Sequence, residues 1–138
     1  MGGAELILLD THALIWLDQD DPAFGGNART AADEALRDDA LAVSAISFWE
    51  VAMLAAKGRI AIGLPIFRWR LDLLGSGLIE IAVDGQIALA ASSLVGLHRD
   101  PADRFIVATA QAIGATLLTA DQKLLDWADR LVRHDARL

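Results

Sequence analysis

The sequence predicts an α/β domain, with a mostly parallel central sheet and helices on both of its faces. Three observations lead there. Short apolar runs alternate with longer stretches of helical periodicity along the whole chain, the pattern left by successive βα units. The first run, Leu6-Ile7-Leu8-Leu9, is continuously apolar, as a central strand buried on both faces requires. The third is size: 138 residues, 54% hydrophobic and 22% charged, fit one compact domain (residues 1–138) with one core.

Each element has its own local cause. A short helix from about His12 to Leu17 follows the first strand and stops at Asp20-Asp21-Pro22. Asn27 is expected to cap a second helix through about Arg37, with Ala28, Ala31, Ala32, Ala35 and Leu36 on one side. Leu41 to Val43 reads as the second strand. Ser47 then opens a helix that ends near Lys57-Gly58, where Gly supplies the left-handed turn. Pro65 starts a helix carrying Phe67, Trp69, Leu71 and Leu74 up to Gly75. Leu78 to Val83 is the third strand, and Asp84 caps a helix to about Leu94. Asp100-Pro101 begins the longest helix, which ends at Gly114. Ala115 to Thr119 is a strand, Asp121 caps a short helix to about Ala128, and Leu131-Val132 forms a weak last strand.

Composition narrows the chemistry. The chain has no Cys, which excludes disulfides, thiolate metal sites and Cys nucleophiles, and suits a reducing cytoplasm. No apolar stretch is long enough to span a bilayer, so no membrane association is expected. Met1-Gly2-Gly3-Ala4-Glu5 lacks the basic region of a signal peptide. The net charge of −7 argues against a protein that merely holds nucleic acid, since phosphate binding rests on Lys and Arg. A nuclease stays open if some acids hold metal.

Four acids fall where an open parallel sheet puts its ligand site, beyond the carboxyl ends of the strands. Asp10 ends the first strand, Glu50 begins the helix after the second, Asp103 lies in the first turn of the long helix, and Asp121 follows the strand Ala115–Thr119. Three of them have ordinary structural explanations. Ser47-Phe48-Trp49-Glu50 is a formal capping box, Asp100-Pro101-Ala102-Asp103 a plain helix start, and Asp121 a simple N-cap. Asp10 does not, because core residues flank it and no basic residue is near in sequence. A buried carboxylate costs several kcal/mol (roughly) unless it is paired. Converging carboxylates repel, and a divalent cation resolves that conflict. An all-oxygen ligand set points to Mg²⁺ or Mn²⁺.

At these residues the chain resembles the PIN domain family, and within it the VapC toxins of bacterial toxin–antitoxin pairs. The matching segments are Leu8-Leu9-Asp10-Thr11-His12-Ala13-Leu14-Ile15-Trp16, Ser44 to Ala52, His98-Arg99-Asp100-Pro101-Ala102-Asp103-Arg104 and Leu118-Thr119-Ala120-Asp121. The resemblance implies a three-layer α/β/α fold, a Mg²⁺- or Mn²⁺-dependent ribonuclease acting on RNA, a homodimer, and inhibition by a cognate antitoxin. It makes Asp10, Glu50, Asp103 and Asp121 the metal ligands and catalytic acids. Asp100 becomes a supporting acid, and Thr119 or Thr11 a hydrogen-bond donor to a ligand carboxylate.

The remaining candidates divide between surface, core and partner. His12 and His98, at helix starts, read as structural, because a metal-assisted hydrolysis needs no His base. Arg99, Arg104 and Lys123 could touch phosphates or simply pair with nearby acids. Trp69, amid Arg68 and Arg70, is expected to face a protein partner, while Trp16, Trp49 and Trp127 are assigned to the core. Two rivals remain: a non-catalytic PIN scaffold that binds a protein partner, and a phosphatase or receiver of similar design. A haloacid-type phosphatase would want an Asp where His12 stands.

Overall fold

The computed structural model describes residues 5–138; the Met1–Ala4 segment read above for a leader lies outside the described residues. Five strands, β1 (Ile7–Leu9), β2 (Leu41–Ser44), β3 (Ile79–Ile81), β4 (Thr116–Thr119) and β5 (Arg133–Asp135), form one sheet in the order β3-β2-β1-β4-β5. Every neighbouring pair is parallel. The helices are α1 (Thr11–Gln19), α2 (Gly26–Arg37), α3 (Ala45–Ala56), α4 (Ile66–Gly75), α5 (Gly85–Ser92), α6 (Pro101–Ile113) and α7 (Gln122–Leu125).

Strand side chains alternate between the two faces and so feed two cores. Ile7, Leu9, Leu41, Val43 and Leu118 pack with Leu14, Ala28, Ala32, Val51 and Trp69 from α1 to α4. Leu8, Ala42 and Leu117 pack with Ile106, Val107 and Ala110 of α6 and Leu124 of α7. Burying each large aliphatic side chain contributes about 1.5–3 kcal/mol, so the central strands are fixed in register from both sides. The result is a three-layer α/β/α sandwich.

Several boundaries fall elsewhere than the sequence suggests. Ser44, not Ser47, caps α3: its Oγ accepts from the Ile46 N–H at 3.2 Å, because β2 runs straight into the helix without a loop. Asn27 does not cap α2. The N-cap is Gly25, and the backbone oxygen of Leu138 accepts from the N–H groups of Asn27 (2.9 Å) and Ala28 (3.3 Å). A Cβ on Gly25 would overlap the Leu138 backbone, so Gly lets the chain approach that closely. The last strand is Arg133–Asp135 rather than Leu131-Val132, with Leu131 buried in the second core.

The tryptophans also redistribute. Trp69 is buried, edge-on to Phe48 with ring centres 5.9 Å apart, and its indole N–H donates to Asp18 at 2.9 Å. It is the anchor of α4, not a partner contact. Trp49 is instead 52% exposed. Helix α3 is apolar nearly all round, so its sequence does not say which side faces the core. Trp127 is buried, and Trp16 packs against the first core.

Candidate metal and catalytic site

The chain builds β1, β2 and β3 in one direction and then returns to place β4 on the other side of β1. In parallel sheets such a reversal opens a crevice at the carboxyl ends of the two strands concerned. Here it holds a cleft of about 440 Å³ lined by Asp10, Glu50, Asp100, Asp103 and Asp121, with Thr11, His12, Trp16, Ala120 and Arg137. The fold thus brings all four expected ligands together.

Asp10 is 5% exposed and fastened on both oxygens. Oδ1 accepts from the Ala13 N–H at 2.8 Å, capping α1, and Oδ2 accepts from the Thr119 hydroxyl at 2.5 Å. The same Thr119 oxygen accepts from the Asp121 N–H at 3.0 Å, so one side chain ties the acid of β1 to the acid after β4. Burial raises the Asp10 pKa most, with Asp121 adding to the rise. The bonds from Thr119 and Ala13 and the nearby His12 work against it. Thr11 does not share this role. Its hydroxyl donates to Ser47 Oγ at 3.0 Å in the buried contact between α1 and α3.

Asp103 is held very differently. Its pKa is pushed up to about 8, first by burial and then by Asp100, Asp121, Asp10 and Glu50. Asp100 caps α6 by accepting from the Asp103 N–H at 3.1 Å, which brings the two carboxylates close. His98 Nε2 lies 3.3 Å from Asp103 Oδ2 but is not aligned for a hydrogen bond, and that buried nitrogen has no hydrogen-bond partner among the described residues. His98 Nδ1 accepts from the Asp100 N–H at 3.3 Å, which orients the ring.

One potential ligand atom from each of His98, Asp103 and Asp121 lies within 4.8 Å of the others. Oxygen donors and mutually repelling acids fit a divalent cation, and His98 Nε2 joins them only in the tautomer that protonates Nδ1 and gives up the Asp100 contact. His98, read from sequence as structural, belongs to this group, which does not include Asp10 or Glu50. The signal available was its place two residues before the Asp100 cap.

Glu50 is half-buried on α3 and accepts no hydrogen bond from the described residues, because the expected capping box does not form. Ser47 lies inside the helix, where its oxygen accepts from Thr11. Asp121 caps α7 through Oδ1, which accepts from the Lys123 N–H at 2.9 Å.

Arg104 is unavailable to a ligand. It donates to the carbonyls of Ala91 (3.0 Å), Leu94 (2.9 Å), Leu97 (3.1 Å) and His98 (3.2 Å), fastening to α6 the segment that carries His98. Arg99 and Lys123 are exposed and form no ion pair among the described residues. Arg137, which sequence reasoning missed, lines the cleft. No local signal marks it: the Ala136 N–H donates to the Thr119 carbonyl at 2.8 Å, carrying the chain past β5 to the site.

Comparison with known proteins agrees with this architecture. Ribonuclease VapC22 of Mycobacterium tuberculosis (strain ATCC 25618 / H37Rv) is 35% identical over 119 residues, covering 86% of this chain and 88% of that protein. Among solved structures, VapBC2 from Rickettsia felis, bound to a DNA fragment from its promoter, superposes with a TM-score of 0.69 at 18% identity, covering 94% of this chain and 98% of that one. VapBC-1 from nontypeable Haemophilus influenzae gives 0.69 at 20% identity, with 96% and 99% covered. A toxin–antitoxin complex from Klebsiella pneumoniae gives 0.61 at 25% identity, with 91% and 95% covered. The PIN domain family matches residues 7–130, nearly the full extent of the sheet and both helical layers. The chain belongs to the PIN domain family.

Proposed function

We propose that the protein is a divalent-metal-dependent endoribonuclease and the toxin of a toxin–antitoxin pair. The observation that carries this reading is the meeting of Asp10, Glu50, Asp100, Asp103 and Asp121 in one cleft, where Asp103 is driven to a pKa of about 8. So much converging negative charge asks for a cation. The similarity to a ribonuclease supports RNA as substrate, and the toxin–antitoxin complexes among the structural neighbours support a protein inhibitor, while the homodimer rests on the family resemblance alone.

Asp10, Glu50, Asp103 and Asp121 are the ligands in this reading, with His98 beside Asp103 and Asp121. A Mg²⁺ or Mn²⁺ held by these residues would lower the pKa of water and offset charge on the reacting phosphate. Thr119 holds Asp10 and the backbone of Asp121 in fixed relation, and Asp100 sets the first turn of α6 that carries Asp103. The chain has no Cys, and its cleft histidine, His12, is exposed. Water is therefore the expected nucleophile, leaving a 5′-phosphate and a 3′-hydroxyl and sparing the neighbouring 2′-hydroxyl.

Mass spectrometry of the fragments tests the chemistry. EDTA should stop cleavage, Mg²⁺ or Mn²⁺ should restore it, and the ends should be 5′-phosphorylated. Cyclic 2′,3′-phosphate ends, or full activity in excess EDTA, would overturn the mechanism. Expression of the chain alone should slow growth and cut cellular RNA, and a short open reading frame beside its gene should encode a protein that silences it.

A further inference from the structure

The cleft that gathers five carboxylates also contains one arginine, and its surroundings are unusual for a surface side chain. Arg137 Nε and Nη2 donate to the two oxygens of Asp135 at 2.9 and 2.7 Å, and Nη2 donates again to Gln122 Oε1 at 2.9 Å. The Asp135 carboxylate also accepts from the Arg137 backbone N–H at 2.9 Å. Neighbouring residues fix the backbone on either side. Ala136 donates to Thr119 and accepts from Gly25, each at 2.8 Å, and Leu138 accepts from Asn27 and Ala28.

This arrangement uses three of the five guanidinium N–H groups and leaves the Nη1 edge without a protein partner among the described residues. An exposed ion pair adds little to stability, so stability is a weak reason for Asp135 and Gln122 to converge on one side chain. Their effect is to hold a long, flexible cation in a single pose with two donors unspent. Arg104 makes the contrast clear, since backbone carbonyls take up four of its donor contacts.

We propose that Arg137 binds a backbone phosphate of the nucleic-acid strand beside the phosphate being cut. The identity of that strand as RNA rests on the ribonuclease reading. A polyanion entering a cleft of carboxylates is repelled wherever no cation meets it. An ion held by the acids would meet the reacting phosphate, and Arg137 meets a neighbour, setting the register of the strand. Asp135 and Gln122 are positioning residues that act through Arg137.

The test uses the full chain carrying Asp10→Asn, which removes cleavage so that binding of a labelled single-stranded RNA can be followed by fluorescence anisotropy in Mg²⁺. Adding Arg137→Ala should weaken binding about tenfold. It should also make the slope of log affinity against log salt shallower by about 0.7, the value for one lost phosphate contact on a single strand. Arg137→Lys should restore the slope but not all of the affinity, since Lys is a point charge without the fork. In the cleaving enzyme, Asp135→Asn should raise KM more than it lowers kcat, with the melting temperature unchanged. An affinity and salt slope in Arg137→Ala equal to those of its parent, in a protein shown by circular dichroism to be folded, would overturn the proposal. A wild-type protein that cuts no RNA, while binding still depends on Arg137, would overturn the nuclease reading and leave the phosphate site standing.

Discussion

The two halves of the cleft are built on opposite principles. On the strand side, both oxygens of Asp10 are engaged by the protein itself, through the Ala13 amide and the Thr119 hydroxyl. On the helix side, no described side-chain hydrogen bond reaches the Asp103 carboxylate, whose neighbour His98 Nε2 lies misaligned at 3.3 Å. Hydrogen bonds to the charged form offset part of the burial cost at Asp10, whereas at Asp103 burial and four like charges all act in one direction. The lesson is a division of labour. The sheet supplies a finished anchor, and α6 supplies a carboxylate whose charge is stabilised only when a cation arrives.

The strongest way to break this comparison is to remove each acid and read activity and stability separately. Asp10→Ala and Asp103→Asn should each lower RNA cleavage at least about 100-fold, because in the proposed reading each removes a metal ligand. Their effects on metal-free stability should have opposite signs. Asp10→Ala loses an N-cap and strands the Thr119 hydroxyl, a cost of about 2 kcal/mol. Asp103→Asn removes a repelled charge and should raise the urea midpoint in EDTA. Equal destabilisation by both substitutions would end the distinction.

The same contrast predicts a pH dependence. The Asp103 pKa rises from 3.8 in the unfolded chain to about 8 in the folded one, so between those values the native state holds a proton that the unfolded state has released. The Asp103 contribution to metal-free stability should therefore be fully present below about pH 4, fall as pH rises, and be lost above about pH 8. Asp10, also raised, adds in the same direction. Urea unfolding in EDTA across this range checks the sign. Saturating Mn²⁺ should reverse the trend at neutral pH, because the ion binds the ionised acids.

Much of the strand side was legible in the sequence, and less of the helix side. Leu6-Ile7-Leu8-Leu9 announces a buried strand, and the acid directly after it reads as lacking a local role, whereas in the structure Asp10 also caps α1 through the Ala13 N–H. Asp100-Pro101 and Gly114 fix both ends of α6 by local rules, and the structure obeys them. What local rules could not supply were contacts closed over long distances. The N-terminus of α2 is satisfied by Leu138 rather than by its own Asn27. Arg137 reaches the site only through the β4–β5 pairing, in a polar edge strand whose sequence, Arg133-His134-Asp135, lacks apolar alternation. His98 gains its meaning from Arg104, which binds the preceding loop in space.

Thr119 sharpens the comparison at intermediate size, because it joins Asp10 to Asp121 without touching Asp103. Thr119→Val keeps the shape of this buried side chain but removes the donor to Asp10 and the acceptor for the Asp121 amide. It should cost about 1–3 kcal/mol in stability. It should also cost about 10–100-fold in metal affinity, read by titration calorimetry with Mn²⁺. Asp103 should keep its raised pKa, so the fall in metal-free stability with rising pH should persist in this variant.

The smallest effect belongs to Glu50, which lacks the fastening of Asp10. It lies on α3 facing the cleft, and no described hydrogen bond ties its carboxylate to the protein. The cap of that helix is Ser44, so replacing Glu50 does not remove a capping interaction. Glu50→Gln should therefore change metal-free stability by less than about 0.5 kcal/mol, as for a site without buried partners. Ser44→Ala should cost about 1 kcal/mol, the usual price of an N-cap. The two variants separate the roles of a carboxylate and a cap within one helix. If Glu50 serves the cation, Glu50→Gln should blunt the rise in melting temperature that Mn²⁺ produces, whereas Ser44→Ala should shift the metal-free and metal-bound curves by equal amounts. A Glu50→Gln protein with the cost of a lost cap and an undiminished metal response would return Glu50 to the capping box.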